Sequence, residues 1–181
     1  MPDFAPTIRH DAIVSERPRA LYDWWATKRG ARTLPTRGDF LAEELVPWWP
    51  DLVFYEIERG SGAPRFRFRV HGDNAAIADG GNFTGRFLDE VLPRESANQV
   101  LDCYNAVFRA QLPLYSRSHR FSRDGHNIGF ERLLLPFGDG PVQHILAYLV
   151  RVAGVRADLA DGHLPSLSNR YVNDVLAFIA S

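Results

Sequence analysis

The chain has 181 residues, of which 45% are hydrophobic and 24% charged, the make-up of one ordinary globular domain rather than two. Lys and Arg total 21 against 22 for Asp and Glu, so the broad basic field that nucleic acid or an anionic membrane demands is missing. The one cysteine, Cys103, excludes an internal disulfide and a Cys-based zinc site. The N-terminus has no signal-peptide pattern, and no apolar run approaches the ~20 residues that cross a bilayer, so the expected location is the cytoplasm without membrane insertion.

Residues 1–16 mix prolines, charges and short apolar groups without a period and read as a leader. A helical flank is expected over 17–50. Its first helix, over 17–28, places Leu21, Trp24, Trp25 and Lys28 at helical spacing, with Pro18 in the first turn and Gly30 at the stop. A second short helix is expected over 40–46, capped by Asp39 and ended by Pro47.

The core is expected over 51–153. Residues 53–58 and 65–71 read as strands, the second alternating Phe66, Phe68 and Val70 with Arg65, Arg67, Arg69 and His71. The turn at Gly60, Ser61, Gly62, Ala63 and Pro64 joins them as an antiparallel hairpin, which lets Glu56 and Glu58 face Arg67 and Arg69. A compact irregular connection over 72–93 precedes a longer helix, in which Ala97, Val100, Leu101, Tyr104, Val107 and Phe108 form an apolar stripe. Three strands then follow over 114–122, 128–135 and 142–152, broken at Asp124-Gly125 and at Gly138-Asp139-Gly140-Pro141. The last is apolar on both faces and should be central. In the tail, 154–181, the spacing of Tyr171, Val172, Val175, Leu176 and Ile179 predicts a C-terminal helix.

This order is α+β: a hairpin and a meander on either side of a helical crossover can close one five-stranded antiparallel sheet whose central pair joins first strand to last. The motifs Trp24-Trp25 with Arg29-Gly30, Leu34-Pro35-Thr36-Arg37-Gly38-Asp39-Phe40, Phe68-Arg69-Val70-His71-Gly72, Thr84-Gly85-Arg86 and Leu133-Leu134-Leu135-Pro136 resemble the PAS domain family, in particular a bacterial subfamily of short single-domain PAS proteins. The resemblance spans about residues 21–152. It implies a stand-alone sensory or regulatory module in signal transduction that works by protein-protein interaction, with a signalling protein partner, a small ligand in the core, or both. It implies no shared catalysis, and the roughly 30 residues expected after the core are too few for an output domain.

Cofactors of such sensors leave residue requirements that this chain does not meet. Residues 97–110 contain no histidine, which argues against haem, and the stretch 82–88 has no cysteine, which argues against a flavin that forms a covalent adduct. Cys103, inside the long helix, reads as a small buried thiol. No Walker sequence, nucleophile elbow or helical pair of metal ligands occurs, so no enzyme is indicated. His71 and Asp73 straddle a strand end, where a polar exit and a helix cap outweigh an acid–base pair. The Arg65, Arg67 and Arg69 stripe reads as charge-paired with glutamates sooner than as a phosphate reader.

Tyr104, Phe108, Phe121, Phe130 and Tyr148 are the candidates for lining a space between long helix and sheet, with His119 as a polar contact. Core filling is the competing account of the same rings. Trp24, Trp25, Trp48 and Trp49 are the candidate interface residues, because adjacent helical side chains diverge by about 100 degrees and one of each pair can reach a second surface. A homodimer is expected. The rival fold is a cone-shaped α+β domain of the nuclear-transport-factor type holding an apolar pocket, and a third reading is an adaptor with a filled core.

Overall fold

The computed structural model describes residues 5–121, 127–152 and 172–180. Seven strands form one sheet: β1 (Ala5–Ile8), β2 (Leu52–Glu58), β3 (Arg65–His71), β4 (Leu114–Phe121), β5 (Asn127–Phe137), β6 (His144–Val152) and β7 (Val172–Ile179), in the order β1-β7-β4-β5-β6-β2-β3. All neighbours are antiparallel except β1 and β7. First hairpin and last meander strand meet as expected, Leu52 opposite Tyr148 and Tyr55 opposite Ile145. This pairing is the feature that separates a PAS sheet from the cone-shaped rival.

Two expectations about the sheet are corrected. The sheet has seven strands, not five, because both flanks of the core add one. Residues 172–179 are strand β7 rather than a C-terminal helix, since β4 offers an open edge on which Tyr115 pairs with Ala177 and Leu114 with Phe178. Of the rest of the predicted tail, 154–171 lies outside the described residues. The leader contributes β1, whose Ile8 pairs with Ile179 at the sheet's edge, and Ile13 is fully buried.

Helix α1 (Glu16–Arg29) forms where expected and stops at Gly30, whose φ of 57° suits a residue without a Cβ. The second N-terminal helix is instead a 3-10 run, Ala42–Asp51, because Pro47 and Pro50 inside it carry no amide hydrogen to donate into an α-helical ladder. Asp39 caps its own preceding turn, its carboxylate accepting from Thr36 N at 2.6 Å and Thr36 Oγ1 at 2.9 Å. Glu44 ties the run to α1: it accepts from Lys28, from the amide of Leu41 and from Trp24 Nε1, which together lower its pKa to about 2.

The connection between β3 and β4 holds α2 (Asp73–Asp79), α3 (Leu88–Val91) and α4 (Arg94–Ala110). Gly72 marks its start for a steric reason. A Cβ there would stand 2.3 Å from the Trp49 carbonyl oxygen and 2.6 Å from that of Pro50, so the 3-10 run seats directly on this backbone. Gly138 is similar, with the Pro141 oxygen 2.0 Å from where its Cβ would be.

Cross-strand partners share a face, so the registers sort the sheet into two sides. Leu52, Tyr115, Leu133, Leu146 and Tyr148 lie on the side that α1 covers, where Trp25 Nε1 donates to the Pro136 carbonyl at 2.9 Å. Val53, Tyr55, Phe66, Phe68, Leu134 and Ala147 lie on the other, beneath α2, α3 and α4.

Candidate functional site

The side under α2, α3 and α4 is incompletely filled. A cavity of about 370 Å³ lies between these helices and the central strands. Its floor is Val53, Tyr55, Phe68, Ala147 and Leu149, with Phe130 and Arg132 from β5. Its roof is built from Ala75 of α2, Leu88 and Val91 of α3, and Val100 and Tyr104 of α4. The roof is segmented because the chain breaks repeatedly: Gly80 takes a left-handed φ of 85°, Gly85 one of 89°, and Pro93 stands at the entry to α4. Volume and mostly apolar lining fall at the small end of what ligand pockets show, about 300–1,000 Å³.

Polar groups enter at defined places. Tyr55 and Tyr104 meet edge to face with ring centroids 5.1 Å apart. Burial raises both phenols, Tyr104 to about 12 and Tyr55 well above its ordinary value, so both are neutral at physiological pH. At the mouth, His71 closes the end of β3. Its Nδ1 accepts from the Phe83 amide at 3.1 Å, which leaves the ring proton on Nε2 to donate to Asp79 Oδ2 at 3.1 Å. Burial raises the Asp79 pKa, against the pull of His71 and Arg132. The partner of His71 is thus Asp79 and not Asp73, which sits exposed in the first turn of α2. The unit is a buttress that pins residues 79–83 onto β3, with the His71 ring also 5.0 Å from that of Phe68.

The sequence candidates divide between the two sides. Tyr104 and Phe130 line the cavity. Phe108 lies off it, with the Arg59 guanidinium 5.1 Å over its ring. His119 and Tyr148 belong to the opposite side: Tyr148 pairs with Leu133 and Leu52, and His119 with Gly129, two residues from Glu131 on that same side. The Phe121 side chain lies outside what the structure describes. Val53, Phe68, Asp79, Arg132 and Arg151 line the cavity without having been singled out. Phe130 and Arg132, two residues apart on β5, share a face, so the inward placement of one carries the other with it.

Each tryptophan is engaged within the chain to a different degree. Trp25 is buried, and Trp24 packs against Phe40 at 5.1 Å and binds Glu44. Trp48 donates from Nε1 to the Arg17 carbonyl at 3.0 Å, while Trp49 keeps 39% of its surface exposed. The arginine stripe is paired as expected, Arg67 with Glu58 and Arg69 with Glu56, and Arg65 binds Asp89 and Glu90. Cys103 is buried, which raises its thiol pKa, as a structural cysteine requires.

Comparison with known proteins agrees with this architecture. A family model for the PAS domain matches residues 14–156. The chain belongs to the PAS domain family. Among solved structures, an RNA-binding Light-Oxygen-Voltage receptor aligns with a TM-score of 0.36 and 17% identity, covering 66% of this chain. This PAS chain spans 36% of that receptor's length. No curated protein matches. Among the described residues of the PAS domain, no helix is long and apolar enough to cross a membrane, and no group of three or more His, Cys, Asp or Glu side chains gathers as metal ligands would.

Proposed function

We propose that this PAS domain is a sensory module that holds a small ligand in the cavity between α4 and the sheet and passes its state to partner proteins, with a second copy of itself as one partner. The observation that carries the reading is the partly open space of about 370 Å³ between the sheet and its helical cover, in which α2 and α3 are short pieces separated by glycines and α4 is entered through Pro93. A ligand changes output only if it favours one arrangement of those helices over another, and a segmented roof offers more than one arrangement. Support for the partner surface comes from the 3-10 run and its entry, where Leu41, Val46 and Trp49 are exposed.

Native mass spectrometry of freshly purified protein tests the first part. An added small mass that disappears in Ala147→Phe, which puts a ring into the floor, is the expected result, whereas the bare polypeptide mass for each protein would favour the adaptor reading. Light scattering at tens of micromolar tests the second part: a dimer that Trp49→Ala weakens is expected, and a monomer would count against it.

A further inference from the structure

We propose, resting on the cavity being a ligand site, that it selects a carboxylate carried on an apolar body, and that Arg132 receives the carboxylate. Most of the wall is hydrocarbon, contributed by Val53, Phe68, Leu88, Val100, Ala147 and Leu149, so the body of the ligand is apolar. The charged exceptions are two guanidiniums and a single carboxylate.

Arg132 projects from β5 between uncharged neighbours, Ser116 on β4 and Leu149 on β6. It is half-buried, and its field reaches Tyr55, Tyr104, Asp79 and Cys103, which places the guanidinium toward the interior of the space. Among the described residues no carboxylate forms an ion pair with it. The one acid in the lining, Asp79, is hydrogen-bonded to His71. Arg151 stands diagonally across, opposite Phe130 and exposed at the rim, about 7–8 Å away by strand geometry.

The lining therefore carries two guanidiniums against one carboxylate in a partly dry space, where a charge-assisted hydrogen bond is worth more than on the surface. The planar fork of arginine matches the two oxygens of a carboxylate. A cationic ligand meets two like charges, and a phosphate dianion brings twice the charge into a lining that already holds the Asp79 carboxylate. A neutral ligand leaves Arg132 as unpaired as before.

Isothermal titration of the whole chain at neutral pH with octanoate, octanol and octylamine separates these cases, because the three share one apolar body. Octanoate is expected to bind about ten-fold tighter than octanol, with octylamine weakest. Arg132→Gln is expected to erase the preference for the acid while octanol still binds, and Arg132→Lys to keep part of it. Equal or better binding of octanol in the unsubstituted protein, or an acid preference that survives Arg132→Gln, overturns the carboxylate assignment and leaves the cavity a ligand site. Binding of none of the three overturns both. The acid-to-alcohol comparison needs no variant, so it decides the matter even if Arg132→Gln fails to fold.

Discussion

The two sides of the sheet use alternate residues of the same strands and are covered in opposite ways. Under α1 the covering is one continuous 14-residue helix, and the rings of Trp25, Tyr115, Tyr148 and Phe137 fill the layer. Under α2, α3 and α4 the covering is broken by glycines and Pro93, and space is left. One strand register thus yields a structural side and a receptive side. What separates them is helix continuity and not hydrophobicity, since both sides are predominantly apolar. The structural side pays in another way: Glu131 is 1% exposed, and its buried carboxylate raises the pKa of the neighbouring Tyr115 phenol.

The largest effect expected is common to both sides and comes with alkali. Burial raises the phenols of Tyr104, Tyr115 and Tyr148 to about 12 and that of Tyr55 well above its ordinary value, the first and last of these four on the receptive side and the middle two on the structural one. The folded pKa lies above the unfolded value, so the protonated phenol is favoured by folding. This stabilisation is complete below a pH of about 10 and is lost as pH rises through about 12. Urea titrations followed by circular dichroism should show the midpoint falling steeply across that window. A flat profile would mean that these hydroxyls are not desolvated.

Next in size is Trp25→Ala, which empties the centre of the structural side and removes the bond to Pro136; a loss of about 3–5 kcal/mol in the same titration is expected. Gly72→Ala should follow, at more than about 1 kcal/mol, because the new Cβ collides with rigid carbonyls of Trp49 and Pro50 and not with a flexible side chain. A loss no larger than a typical surface change would show that the 3-10 run is not seated as described.

The hairpin was legible because period-two alternation and the glycine turn both act locally, and the pairing of Arg67 and Arg69 with glutamates follows from that alternation. Residues 172–179 were not. Val172, Val175, Leu176 and Ile179 fit a helical stripe equally well, and what makes them a strand is the open edge of β4, more than 50 residues away in the chain. The cavity was half legible for a related reason. That Tyr104 faces the sheet follows from the period of α4, but whether Phe130 or Tyr148 faces the helix depends on register, and a shift of one residue exchanges the sides. Arg132 is not legible as an inward residue because it follows Glu131 directly, and a charged pair at the head of an apolar run ordinarily marks solvated positions.

The sharpest test of the contrast between sides is the smallest in energy. Ala147 and Ala177 are both buried alanines in interior strands, 4% and 0% exposed, and they lie on opposite sides of the sheet. Phenylalanine at Ala177 must push into the filled layer beneath α1 and the leader, and overpacking of that kind costs about 1–3 kcal/mol. Phenylalanine at Ala147 enters the cavity, where its ring gains contacts and hydrophobic burial without displacing a neighbour, so Ala147→Phe should stay within about 1 kcal/mol of the parent. Equal losses at the two positions would mean that the receptive side closes up in solution and that the space under α4 is not held open by the breaks in its roof.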